Sequence, residues 1–177
     1  MKRNHFFYAL PLPAEVKREL YEFVQNKELP FSRFVHQEDL HLTLAFLGAA
    51  EEDKLNASIE LVAEAIQQIA PFPLSIHSLG WFGKKTSPRI FWAGVKEEEQ
   101  LYTLQKKVYE ACRQAGFELD RKPFRPHITV ARKWKGEVPF ELPADAFEKN
   151  FLTNSVVLYE THLDKLPKYK VKHQFEL

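Results

Sequence analysis

Two short stretches decide how this chain is read: His41-Leu42-Thr43-Leu44, inside HLTLAFLG at 41–48, and His127-Ile128-Thr129-Val130, inside FRPHITVAR at 124–132. Each has the form histidine, apolar, threonine, apolar. That alternation is the period of a half-buried β-strand, in which residues two apart share a face. Each histidine is therefore expected beside its threonine on one side of a strand, roughly 7 Å apart along it. Leu42 and Leu44, or Ile128 and Val130, then point into a core.

The segments around the two motifs repeat one plan. In the first copy, a β-like run from Phe6 to Leu10 leads through Pro11 to a helix beginning at Pro13, with Val16, Leu20 and Phe23 at helical spacing up to about Lys27. Pro13 suits a first helical turn, where a missing N–H costs nothing. A short β run at Phe31–Val35 and the strand Leu40–Leu47, closed by Gly48, follow. In the second copy a strand at 90–95 precedes a helix from about Glu97, with Leu101, Leu104, Val108 and Cys112 as its apolar stripe and Gly116 as its stop, and then the strand with His127. The helix starts lie 84 residues apart and the histidines 86. A near-constant offset indicates a diverged internal duplication, hence two similar lobes related by a pseudo-two-fold axis.

Between and after the copies, residues 51–70 predict a helix with acidic residues in its first turn and Leu55, Ile59, Val62, Ile66 and Ile69 on one face. Pro71 and Pro73 end it. β runs are expected at Leu74–Leu79 and Ile90–Val95 around a loop at 83–88, then a loop from Lys133 to Phe147, and strands at Ser155–Tyr159 and Tyr169–Phe175. No linker or low-complexity segment interrupts residues 1–177, which are read as a single domain made of two intertwined lobes.

The chain has 177 residues, 45% of them hydrophobic, enough for a substantial core. Its formal charge of +1 excludes a global field that would grip a long nucleic acid by its backbone, so an anionic ligand must be held locally. The single cysteine, Cys112, excludes an internal disulfide framework or a Cys-rich zinc site and is expected in the core of a helix. The apolar stretch in the opening MKRNHFFYALPLP is short and broken by proline. A cytoplasmic protein is expected, monomeric, with no membrane association and no obligate protein partner.

Placed face to face across a cleft, the motifs supply two imidazoles and two hydroxyls around one volume. A neutral imidazole can take a proton from an attacking hydroxyl or water while a protonated one gives a proton to the leaving oxygen, and the ordinary histidine pKa of about 6.5 suits both tasks. The hydroxyls of Thr43 and Thr129 can bond the non-bridging oxygens of a phosphodiester. No carboxylate or cysteine stands at ligand spacing on either strand, so no metal is expected there. Arg132, closing the second motif, is a candidate to neutralise phosphate; Arg125 and Arg89 are weaker candidates for a basic rim. Phe46, an odd number of residues from His41, is expected in the core, with stacking on a terminal base as the alternative reading. Lys84 and Lys85 read as a solvated loop, and His5, His36, His77, His162 and His173 as structural or surface residues. No base stands beside Ser155 or Cys112, which argues against a covalent nucleophile.

RFVHQEDL followed by HLTLAFLG, FRPHITVAR, PRIFWAGV at 88–95 and the segment from VVLYETHL to Tyr169 together resemble the RNA 2',3'-cyclic phosphodiesterase family, historically called 2'-5' RNA ligases, within the two-histidine phosphoesterase superfamily. The resemblance implies an α+β fold, bilobal, with antiparallel sheets lining a central cleft and helices outside. It implies no cofactor, and RNA 3' ends or small cyclic nucleotides as substrate. It further implies hydrolysis of a 2',3'-cyclic phosphate to a 2'-phosphate, with His41 as general acid on the departing 3'-oxygen, His127 as base on water, and Thr43 and Thr129 as phosphate contacts. Reverse 2'-5' ligation would use the same pair. Two alternatives stand: a phosphodiesterase acting on another small cyclic phosphate or a 2'-5' oligonucleotide, and an RNA-binding module that keeps the cleft without catalysis.

Overall fold

A computed structural model describes residues 4–177. In chain order the elements are β1 (His5–Pro11), α1 (Ala14–Asn26), β2 (Phe31–Phe34), β3 (His41–Ala49), α2 (Glu52–Ala65), β4 (Phe72–Lys84), β5 (Ser87–Val95), α3 (Glu99–Gln114), β6 (His127–Trp134), β7 (Lys149–Thr153), β8 (Ser155–Thr161) and β9 (Tyr169–Glu176). The strands form two sheets, ordered β3-β1-β8-β9 and β2-β6-β5-β4-β7, and every pairing is antiparallel.

The sheet order displays the duplication. β3-β1-β8-β9 corresponds strand by strand to β6-β5-β4-β7, so each histidine strand stands next to the strand that opens its copy. Cross-strand partners agree as well: His41 faces Pro11 and His127 faces Gly94. The fold is thus α+β, with two sheets in pseudo-symmetric lobes.

The helices cover the faces turned away from the histidines. Val16, Leu20 and Val24 bury the inner stripe of α1, and Leu101, Leu104, Val108, Ala111 and Cys112 that of α3. Burial pushes the Cys112 thiol up to about 12, which keeps it a neutral packing group. α2 is tied to the first sheet by one buried polar contact, in which Ser58 Oγ lies 2.8 Å from the Tyr8 hydroxyl and donates to the Leu55 carbonyl at 2.7 Å. One large core cluster spans both lobes, and a small one, Phe7, Ala9, Val157 and Tyr159, lies on the opposite face of the first sheet.

Three elements depart from expectation. α2 ends at Ala65 rather than at 70, because the following hydrogen bonds, Gln67 to Glu64 and Ile69 to Ile66, tighten to the three-residue spacing of a 3₁₀ turn that still buries Ile66. The loop expected at 83–88 is a continuous hairpin in which Gly83 pairs with Pro88 and Lys84 with Ser87, leaving Lys85 and Thr86 as the turn. Gly83, with φ of +100°, stands where the register shifts and β5 passes over Arg89, and a Cβ there would come within 2.9 Å of the Arg89 backbone nitrogen. β7, which lacks a strong alternating pattern, forms because its backbone completes the edge of β4.

Candidate active site

The two histidines are held by the same device. His41 Nδ1 donates to the Asp39 carbonyl at 2.7 Å, and His127 Nδ1 to the Arg125 carbonyl at 2.7 Å, in each case the residue two before it. A carbonyl only accepts, so Nδ1 carries the proton in both rings and Nε2 is the atom each ring offers to chemistry. His41 Nε2 lies 2.9 Å from Thr43 Oγ1. That contact is far shorter than the roughly 7 Å strand repeat, because the side chains lean toward each other along the strand.

Asp39, missed in the sequence, anchors the arrangement. It is 3% exposed, and its carboxylate accepts the backbone N–H groups of Lys168 at 2.9 Å and Tyr169 at 3.1 Å. It thereby ties the start of β9 to the turn before β3 while its own carbonyl orients His41. A buried aspartate with no local pattern is visible only once the distant chain segment reaches it.

Aromatic rings wall each imidazole. Around His41 stand Phe7 at 4.9 Å, Tyr169 at 5.1 Å and Tyr159 at 5.9 Å between centroids; around His127 stand Phe82 at 4.9 Å and Trp92 at 6.3 Å. Trp92 lies over two glycines: a Cβ at Gly80 would come within 2.2 Å of its ring, and one at Gly94 within 2.9 Å. Gly80 and Gly94 are thus the space the indole occupies. Burial, the largest cause, lowers the His41 pKa to about 4, opposed by the Asp39 carbonyl and charge and reinforced by the charges of His127 and Arg132. Burial also lowers His127, with Arg132 acting in the same direction. Arg132 acts on both rings, so the structure brings His41, His127 and Arg132 into one electrostatic neighbourhood.

A β-bulge occurs at the same place in both motif strands. β1 pairs Ala9 with Thr43 and Tyr8 with Ala45, passing over Leu44; β5 pairs Trp92 with Thr129 and Phe91 with Ala131, passing over Val130. Two successive residues are then buried in each strand, Leu44 with Ala45 and Val130 with Ala131, and the next residue turns onto the histidine side. In the first strand Gln105 of α3 donates to the Leu44 carbonyl at 3.1 Å. The expectation that Phe46 packs in the core is therefore wrong: the bulge reverses the parity, and Phe46 is 56% exposed. It sits across from Phe7, which packs on His41. Its counterpart by symmetry is Arg132, across from Ile90.

Among the described residues, no group of three His, Cys, Asp or Glu side chains is arranged to hold a metal ion, and no helix is long and apolar enough to cross a membrane.

A model of the 2'-5' RNA ligase superfamily matches residues 13–164. An RNA 2',3'-cyclic phosphodiesterase of Geobacillus stearothermophilus is 47% identical over 100% of this chain; this chain spans only 58% of that protein's length. One of Bacillus subtilis (strain 168) is 33% identical over 99% of this chain and 97% of its own. Among solved structures, a Thermus thermophilus protein superposes with a TM-score of 0.84 at 31% identity, covering 98% of this chain and 97% of that one. E. coli LigT complexed with 3'-AMP superposes with a TM-score of 0.85 at 24% identity over 99% of each chain, a likeness of fold.

Proposed function

This chain belongs to the 2'-5' RNA ligase superfamily, and we propose that it hydrolyses RNA 2',3'-cyclic phosphate ends to 2'-phosphates with His41 and His127 as a metal-independent acid/base pair. The observation that carries this reading is the duplicated presentation of the rings: each Nδ1 is committed to the carbonyl two residues back, which turns each Nε2 to the other side, that of His41 beside the Thr43 hydroxyl.

Water attacks phosphorus as His127 Nε2 takes its proton; the bond from phosphorus to the 3'-oxygen breaks, and His41 Nε2 protonates that oxygen. The product is a 2'-phosphate beside a free 3'-hydroxyl. Burial favours the neutral form of both rings. A phosphodiester anion held in the same desolvated space favours the charged imidazole, so that His41 takes up from solvent the proton it then donates. Thr43 and Thr129 hold the non-bridging oxygens, Arg132 offsets the charge that accumulates on them, and Phe46 offers a face to the terminal base. The donor chemistry supports a metal-free reaction, since no carboxylate joins either Nε2. The protein works as a monomer in the cytoplasm, where its one buried cysteine suits a reducing milieu.

The test is an assay of EDTA-treated protein on an RNA oligomer ending in a 2',3'-cyclic phosphate, with the product mapped by mass and phosphatase sensitivity. Conversion to a 2'-phosphate is expected. Tight RNA binding without product would replace hydrolysis by a binding role.

A further inference from the structure

A second concavity, of about 200 Å³, adjoins the histidine cleft; its lining includes Arg33, His36, Asp39, Arg132, Lys168 and Tyr169. It shares two walls with the site. The Tyr169 ring meets His41 edge-on, and Asp39, through its carbonyl, orients His41. Three cations line this cavity, and among the described residues none of them forms an ion pair. Arg33 and Arg132 moreover stand directly opposite each other in the β2–β6 ladder, where like charges are destabilising unless something anionic lies between them. Asp39 is the cavity's one carboxylate, and its oxygens are engaged by the backbone N–H groups of Lys168 and Tyr169. His36 Nδ1 accepts from the Glu38 N–H. In a chain of net charge +1 this is a local excess of positive charge, three cations against the one carboxylate of Asp39.

We infer that the cavity takes the phosphodiester one nucleotide upstream of the cyclic end, with Arg33 and Lys168 gripping it beside Arg132, so that the protein selects an RNA end over a cyclic mononucleotide. The inference rests on the hydrolysis proposed above. Guanidinium groups suit a diester because their N–H fork matches two phosphate oxygens at once. The geometry suits a second phosphate on the same ligand: a mononucleotide lodged at the histidines would reach neither Arg33 nor Lys168 with an anion.

The experiment compares kcat/KM for three substrates: a cyclic mononucleotide, a dinucleotide ending in a 2',3'-cyclic phosphate, and that dinucleotide with its internal linkage made a neutral methylphosphonate. The charged dinucleotide is expected to exceed both others by roughly tenfold, the size of a charge-assisted hydrogen bond to phosphate. Arg33→Gln and Lys168→Gln should each lower the dinucleotide value several-fold more than the mononucleotide value. Each should also flatten the salt dependence on the dinucleotide by about one unit of log–log slope. Lys106→Ala, an exposed charge on α3, should leave the ratio as it is. Equal turnover of the charged and neutral linkages, or equal losses on both substrates in the Arg33 and Lys168 variants, would overturn the inference. No turnover of any of the three by folded protein would instead overturn the proposed hydrolysis.

Discussion

The strands carrying His41 and His127 have one design and two finishes. Both hold the ring by the carbonyl two residues back, both set a threonine two residues on, and both bulge at the next apolar residue. They differ in what surrounds that frame. His41 is boxed by Phe7, Tyr159 and Tyr169 and its pKa falls to about 4; His127 is walled by Phe82 and Trp92. After the bulge, one strand presents Phe46 and the other Arg132. A duplicated backbone thus supplies equal positions, and a few side chains at its margin make them unequal. In the proposed mechanism that inequality bears on which imidazole holds a proton, while the position of each ring against the substrate divides the roles.

The largest expected effects break the pair itself. His41→Ala and His127→Ala should each reduce turnover of a cyclic-ended oligomer by about 10²–10⁴-fold, and the double variant should fall little further, since the two groups act in one step. An aryl phosphodiester, whose leaving group needs no proton, sharpens the comparison. It should restore much of the rate to His41→Ala and little to His127→Ala, and the opposite result would exchange the two roles. Next, Thr43→Val and Thr129→Val are each expected to cost on the order of 100-fold in kcat, the lower end of the range for losing one donor to a developing oxyanion. A clear difference between them would show which lobe carries more of the phosphate.

The inequality also has a signature in stability. His41 in the folded chain has a pKa near 4 against 6.5 when exposed, so the unfolded chain binds the extra proton between those values. Stability is therefore unaffected above about pH 6.5 and declines as pH falls toward 4, by a total of roughly 3 kcal/mol from this group. Calorimetry at pH 7 and pH 5 should show a smaller loss of Tm for His41→Gln than for the unaltered chain. A parallel loss would mean that the ring is not held neutral by burial. The smallest expected effect is at the margin: Phe46→Ala should raise KM about fivefold or more with kcat little changed, as loss of one stacked base would. Unchanged KM would remove Phe46 from the binding surface.

Much of this was legible locally. The alternation at 41–44 and 127–130 placed each histidine beside its threonine, and the repeated spacing marked the two lobes, because strand and helix periods are properties of consecutive residues. What surrounds the pair was not legible. Parity counts residues singly, so it put Phe46 in the core; the bulge that reverses it exists only in the register between β3 and β1. The hairpin at 83–88 looked like a loop because Gly83, Lys84 and Lys85 have low strand preference, which pairing overrides.

By itself, the sequence determined the motif residues, their period and their duplication, since these depend on covalent order and backbone geometry. The tertiary structure alone decided that Asp39 braces the start of β9, that aromatic rings desolvate both imidazoles, and that Arg33, Arg132 and Lys168 share a cavity. Each of those facts joins residues far apart in the chain, and burial, charge and hydrogen bonding act through space, where covalent order carries no distance.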